Sequence, residues 1–273
     1  MPRILVPFDF SPHAIEALKF AVHLASKESS EIIMLHVIEL PAIVNSSVAL
    51  EFERKFTEFN RSRALKNMTK VAARVGKGID IDKQVDFGGT VHAIENAIKT
   101  FHIDFVVMGT QGASGWKELM IGSNTQKVAR RSPVPVIAIR KAVREIDNIV
   151  LPIPPEGDVQ KDVVDSIKTL QKLFGAKVHV LFVNTPLFFG RDAKVKPGLE
   201  AFVKRHHLDN VSTSVFNDTI LADGIINFTK ALKKPMVAMG THGRKGIRHL
   251  SMGSVAEDVL NHIECPIATF RLK

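Results

Sequence analysis

The 273-residue sequence predicts an α/β protein of two tandem doubly wound domains, each a five-stranded parallel sheet of order 3-2-1-4-5 flanked by helices. Three observations predict it. Short apolar runs alternate with amphipathic segments, the pattern of βαβ units and a parallel sheet. That series of strands occurs twice along the chain. A glycine pattern is also written twice in register, "MGTQGASGWKELMIGS" from Met108 and "MGTHGRKGIRHLSMGS" from Met239. Gly109, Gly112 and Gly122 match Gly240, Gly243 and Gly253 without a gap.

In the first half "RILVPF" (3–8) reads as a buried strand. Ser11 then caps a helix that carries Pro12 in its first turn, where the missing N–H costs nothing. Ile15, Leu18, Val22 and Ala25 fall on one face of that helix. "EIIMLHVI" (31–38) is the second strand. A long segment near 48–75 follows, with Phe52, Phe56 and Phe59 at helical spacing, a stripe suited to core packing or a partner surface. "IDIDKQVDFG" (79–88) is the third strand and "VHAIENAIKTF" (91–101) the third helix. "DFVVMG" (104–109) and "VPVIAIR" (134–140) are the fourth and fifth strands; a helix opened by Gly122-Ser123 and ended by Pro133 lies between them. The second half repeats the order with "NIVLPI" (148–153), "KVHVLFVN" (177–184), "VSTSVFN" (211–217), "KPMVAMG" (234–240) and "CPIATFRL" (265–272). Its middle is shorter, because "PLFFGRDAKVKPGLEAF" replaces the long Phe-bearing helix. The domains expected are 1–142 and 147–273, joined near 141–147.

Composition narrows the class. Hydrophobic content of 45% with 24% charged residues describes a soluble globule. No apolar run approaches the roughly 20 residues of a membrane span, and "MPRILVPFDFS" lacks the plan of a cleavable signal. A single cysteine, Cys265, excludes an internal disulfide and points to a reducing cytoplasm. It precedes Pro266 in an apolar run, as a structural thiol does. The net charge of +9 admits nucleic acid, anionic metabolites or an acidic surface as partners. The basic residues are scattered, as in "KKP" (233–235) and "RSR" (61–63), no aromatic-interleaved basic ribbon appears and tyrosine is absent. Most of the charge reads as solvated helix faces, and nucleic acid is a weak expectation.

Ligands of open α/β sheets sit beyond the carboxyl ends of the strands, where strand order reverses. With strands one and four as central neighbours, Asp9 and Gly109 reach that crevice. Gly109 lacks the side chain that would keep a ligand off the strand end, and Gly112 and Gly115 suit a loop with unusual backbone angles. Gly122-Ser123 opens a helix whose free N–H groups and positive dipole end suit an anion. Bonds of that kind contribute about 1.5–3 kcal/mol each. Turn glycines and a helix cap are the alternative reading of one copy; two copies in register argue against it. The pattern is neither the dinucleotide G-x-G-x-x-G nor the P-loop.

The pattern resembles instead the universal stress protein family in its tandem two-domain form. The family's ATP-binding subgroup carries G-x2-G-x9-G-[S/T], and the chain reads Gly109-Thr-Gln-Gly112, nine residues, then Gly122-Ser123. "ILVPFDFS", "LHV" and "SPVPVIAIR" are similar to the family as well, so the resemblance covers essentially the whole chain. It implies ATP as the cofactor, with magnesium as its optional companion. It implies that Asp9 reaches the adenosine, that the backbone of Val37 meets the adenine edge, and that Met108 and Gly109 neighbour the ribose. Gly112, Gly122, Ser123, Asn124 and Thr125 would follow the phosphates. The second half keeps Gly240, Gly243, Gly253 and Ser254, with Val183 in place of Val37, but Pro154 stands where Asp9 stood. Proline brings neither carboxylate nor N–H, so the second site is expected to be degenerate, although Arg244, Lys245, Arg248 and His249 make its loop more basic.

The implied function is a stress or regulatory module acting through ATP occupancy and partner binding. Catalysis is not the expectation: the histidines are dispersed, no H-E-x-x-H or cysteine cluster occurs, and no base stands out beside the glycine loop. His206-His207 read as exposed. A Ser-Gly-Gly-x-Asp-Ser loop and an H-x-G-H loop, carried by related ATP-using folds, are both missing. Slow ATP hydrolysis, autophosphorylation at Ser123 and a nucleotide-independent scaffold stay open as alternatives. The fifth strands "VPVIAIR" and "CPIATFRL" are exposed edges that can pair within one chain as a pseudo-dimer. A homodimer is open too, with "PLFF" (186–189) and the Phe-bearing helix as candidate surfaces.

Overall fold

The computed structural model describes residues 1–27, 29–40, 47–76, 78–110, 121–153, 159–187, 189–242 and 252–272. At 47–53, 192, 241–242, 252–254 and 272 it describes the course of the backbone alone. In the first half β1 (Arg3–Pro7), β2 (Glu31–Ile38), β3 (Ile81–Phe87), β4 (Phe105–Gly109) and β5 (Val136–Ile139) alternate with α1 (Pro12–Lys27), α2 (Ser47–Val75), α3 (Thr90–Thr100) and α4 (Ser123–Arg131). The second half runs β6 (Asn148–Pro152), α5 (Lys161–Phe174), β7 (Lys177–Asn184), α6 (Asp192–Arg205), β8 (Val211–Asn217), α7 (Leu221–Lys230), β9 (Pro235–His242), α8 (Met252–His262) and β10 (Ile267–Leu272).

The inner strands are dominated by apolar residues because helices cover both faces of a parallel sheet, whereas the edge strands β3 (IDKQVDF) and β8 (VSTSVFN) carry polar residues and are mostly half-buried. Ile4, Leu5 and Val6 of β1 and all of β5 are buried. At the start of α1 the Ser11 hydroxyl accepts the Ala14 N–H at 3.1 Å, the cap its sequence predicts. The buried face of α1 is broader than a single stripe. Ala14, Ala17, Leu18, Phe20, Ala21, Val22 and Leu24 are buried, while Ile15 and Ala25 pack at the edge. Two neighbours account for the width. One side of α1 lies on the sheet, and Phe20 meets Phe174 of α5 with ring centroids 6.2 Å apart.

All ten strands form one sheet, in the order β3-β2-β1-β4-β5-β10-β9-β6-β7-β8. Pairing is parallel within each half, and β1 is flanked by β2 and β4. The halves meet where β5 and β10 pair antiparallel, with Ile267 opposite Ala138 and Thr269 opposite Val136. The Thr269 hydroxyl adds a bond to the Val136 carbonyl at 3.3 Å. The sheet is continuous across this seam and so is one of its cores: a single apolar cluster runs from Val6 and Phe20 to Leu170 and Phe270. The connection between halves is tied down at both ends. The Ala142 N–H donates to Glu16 Oε2 at 2.9 Å, Ile146 is buried, and Lys234 is paired with Glu145 and Asp147. Among the described residues no helix is long and apolar enough to cross a membrane.

Candidate functional site

A recess of about 130 Å³ opens where β1 and β4 part at their carboxyl ends. Phe8 and Asp9 reach it from the end of β1, Leu35 and Val37 from β2, Met108 and Gly109 from β4. Ala14 of α1, Thr90 at the start of α3, and Gly122 to Thr125 at the start of α4 complete the wall. Asp9, Val37, Met108, Gly109, Gly122, Ser123, Asn124 and Thr125 therefore surround one cavity. Gly112 and Gly243 lie outside the described residues, as does Pro154. Gly240 is in β9, and Gly253 and Ser254 fall in the first turn of α8.

The start of α4 is built by its own chain. The Gly122 N–H donates to the Thr110 carbonyl at 2.7 Å, the Thr125 hydroxyl donates to the Gly109 carbonyl at 2.9 Å, and the Gln126 N–H closes the first turn on Gly122 at 3.1 Å. These bonds tie the helix end to the tip of β4. No side chain caps it. The first-turn N–H groups of residues 123–125 have no partner inside a helix. The same holds at α3, where Gly88 has φ 112°, a conformation glycine adopts readily. Gly89 is the N-cap there and again no side chain bonds the end. Two uncapped helix starts thus share one recess, each with the positive end of its dipole. Thr90 was not singled out from the sequence; the Phe87-Gly88-Gly89-Thr90 turn between strand and helix is the signal that finds it.

On the opposite side the β1–α1 turn is strained and held. Phe10 has φ 64°, which costs a non-glycine residue roughly 1–2 kcal/mol. Its ring packs edge-on to Phe8 at 5.1 Å and to His36 at 4.8 Å, and His36 Nδ1 donates to the Phe8 carbonyl at 2.7 Å. Strain of this kind persists where the surroundings over-determine it. The turn presents Asp9 as an exposed carboxylate whose Oδ1 accepts the Ser11 N–H at 3.0 Å.

Gly109 has a different reason from the one its position suggests. A Cβ there would stand 2.6 Å from the His13 carbonyl carbon and 2.7 Å from the His13 Cβ. The missing side chain lets α1 cross tightly over β4, whether or not a ligand approaches. Two other features bear on chemistry. Burial pushes the Cys265 thiol up to about 12, so it stays protonated and is no nucleophile. Among the described residues no three of His, Cys, Asp and Glu gather as metal ligands do.

A family model described as the universal stress protein family matches residues 1–140 and, again, residues 145–271. The chain belongs to the universal stress protein family. The universal stress protein YxiE of Bacillus subtilis is 31% identical over 147 residues, covering 50% of the chain and 98% of the relative. The universal stress protein Slr1230 of Synechocystis is 21% identical over 299 residues, 99% of the chain and all of the relative. Among solved structures, a universal stress protein from Archaeoglobus fulgidus superposes with a TM-score of 0.66 at 19% identity, covering 98% of the chain and 96% of its own. That likeness carries the fold of the tandem pair.

The two universal stress protein repeats differ at the site. Val37 and Gly109 are half-buried, whereas Val183 is 2% exposed and Gly240 is buried. Gly224 of α7 lies so near Val183 that a Cβ would come within 2.4 Å of its Cγ1. In the second repeat α7 therefore occupies the space beside the valine that the first repeat leaves partly open.

Proposed function

We propose that the first domain is an adenine-nucleotide site, with ATP as its ligand, and that occupancy of this site is the regulated quantity of a stress-response module. One observation carries the reading: an exposed carboxylate, an apolar strand end and two uncapped helix starts converge on a single recess at the switch point of the sheet. The roles follow from chemistry. The backbone of Val37 meets the adenine edge, Met108 and Gly109 neighbour the ribose, Asp9 accepts from nucleoside hydroxyls, and the N–H groups of residues 123–125 donate to phosphate oxygens. A few charge-assisted bonds at about 1.5–3 kcal/mol each, together with base burial, reach the roughly −8 kcal/mol of micromolar affinity. A magnesium ion would travel on the triphosphate and water, since no carboxylate cage stands beside the described part of the site.

The recess of about 130 Å³ is below the roughly 300 Å³ where small-molecule sites begin. A nucleotide would therefore extend from its mouth, and that size is the observation favouring the rival reading of a nucleotide-independent scaffold. The second domain is read as the weaker site, because Val183 is covered and Pro154 replaces the carboxylate.

Mass spectrometry of small molecules released from fresh protein, with ATP titration by calorimetry, separates the two. The expected result is one tight site per chain. Gly122→Val shields the helix-start amides and lowers affinity at least tenfold, about 1.4 kcal/mol, and Asp9→Asn weakens binding less. Absence of heat with ATP, ADP and AMP alike would overturn the reading, and tighter binding in the second domain than the first would overturn the asymmetry.

A further inference from the structure

Ile121, the residue just before the Gly122 helix start, belongs structurally to the other half of the molecule. It is 5% exposed and packs in the apolar cluster formed by Val255, Ala256, Val259 and Leu260 of α8. Its N–H donates to the Asn261 side-chain oxygen at 3.1 Å, a bond between residues 140 apart in sequence. The carbonyl of Asn261 in turn accepts from the guanidinium of Arg140, at the end of β5. About two turns further along, near the end of α4, Arg130 pairs with Glu257 of α8. The helix whose first turn faces the recess is thus gripped by α8 at both its beginning and its end.

We propose that Asn261 is a positioning residue for the first-domain site: the second domain holds Ile121, and through it the direction in which the amides of residues 123–125 point. This rests on reading that recess as a nucleotide site. The physical link is short. Gly122 is already bonded back to Thr110, so the segment 121–122 has two anchors, one in each domain. Loss of the Asn261 bond leaves residue 121 held against α8 by apolar packing alone, without the bond that fixes its backbone direction. An anion then has to order the helix start on binding, which costs affinity. The relation is reciprocal: a ligand that orders residues 121–125 also tightens their grip on α8. Since α8 begins at the Gly253-Ser254 segment of the repeat, the two glycine segments are joined by one 11-residue helix.

The test uses the 273-residue chain and two variants. Asn261→Ala removes the acceptor; Asn261→Asp retains it beside Arg140. Backbone hydrogen exchange is followed without nucleotide and with ATP. In the absence of nucleotide, residues 121–126 are expected to exchange faster in Asn261→Ala than in wild type and to return toward wild-type rates in Asn261→Asp. With ATP, the wild-type amides of α8 gain protection and those of Asn261→Ala do not, while the dissociation constant of the alanine variant rises about fivefold, as for one lost hydrogen bond. Far-ultraviolet circular dichroism guards against global unfolding. Unchanged exchange of residues 121–126 in a folded Asn261→Ala protein would overturn the anchor. An unchanged dissociation constant would overturn the link to binding. If wild type binds no adenine nucleotide, the nucleotide reading falls by itself, and the exchange comparison still decides whether α8 holds the segment.

Discussion

The neutral ring of His179 is held in one tautomer by its neighbours. The Asn148 amide donates from Nδ2 to the Lys233 carbonyl at 2.6 Å, which turns its Oδ1 toward His179 Nε2 at 2.8 Å. Nε2 therefore carries the proton, and the Ser212 hydroxyl donates to Nδ1 at 2.9 Å. The ring is 8% exposed. Burial lowers its pKa from 6.5, and the nearby Lys177 charge lowers it further. The unfolded chain thus takes up the second ring proton, the one that makes imidazolium, more readily than the folded one, so stability is full above about pH 6.5 and declines as pH falls below it. Melting temperatures between pH 5 and 8 should drop on the acid side in wild type, with a shallower slope in His179→Gln. Parallel slopes would show the ring to be indifferent. Nothing in "KVHVLFVN" announces this triad; a lone histidine in a strand reveals its partners only when the strand register is known.

The crossing of α1 over β4 is a tight element contact beside the site. Ala14, Ala17 and Ala21 give α1 a low surface, and Gly109 gives β4 none at the point where His13 arrives. Gly109→Ala forces the two backbones apart, an overpacking worth about 1–3 kcal/mol. Thermal unfolding should record that loss with no nucleotide present; a melting temperature equal to wild type would mean that α1 shifts freely. The glycine itself was legible in the sequence, while its cause was not. A strand-end glycine says that space is needed, and only the packed helix says what fills it. The strands were legible for the reverse reason. The inner strands are runs of apolar residues bounded by turn formers, and burial on both faces demands nothing more specific; the edge strands β3 and β8 mix polar with apolar residues because they are mostly half-buried. Elements that gather around the recess are likewise visible as motifs, except Thr90, whose Gly88-Gly89 turn lies outside the glycine pattern that is written twice.

For the whole molecule, duplication of the chain explains how much could be read in advance. Two copies of one glycine pattern imply two copies of one fold, and the exposed fifth strands imply an edge to be covered. What duplication hides is exchange between the copies. Asn261 and Ile121 meet across the halves because α8 lies against the opposite repeat, and no periodicity in either segment marks the pair. The connection has its own arithmetic. From the end of β5 to the start of β6 the chain crosses three strand spacings, about 14 Å. Deleting 141–146 leaves only Arg140 and Asp147 between the strands, a reach of about 11 Å at full stretch. Such a chain cannot close on itself and should form a dimer with exchanged halves by light scattering, whereas a folded monomer would show that the sheet tolerates another route.

The antiparallel seam between β5 and β10 also bears on crowding. A tethered edge sees its mate at an effective concentration of about a millimolar, far above the usual abundance of a protein in a cell. A molecule that opens there by chance reseals with itself long before it meets a stranger, and only a lasting insult to the tether would let neighbours recombine.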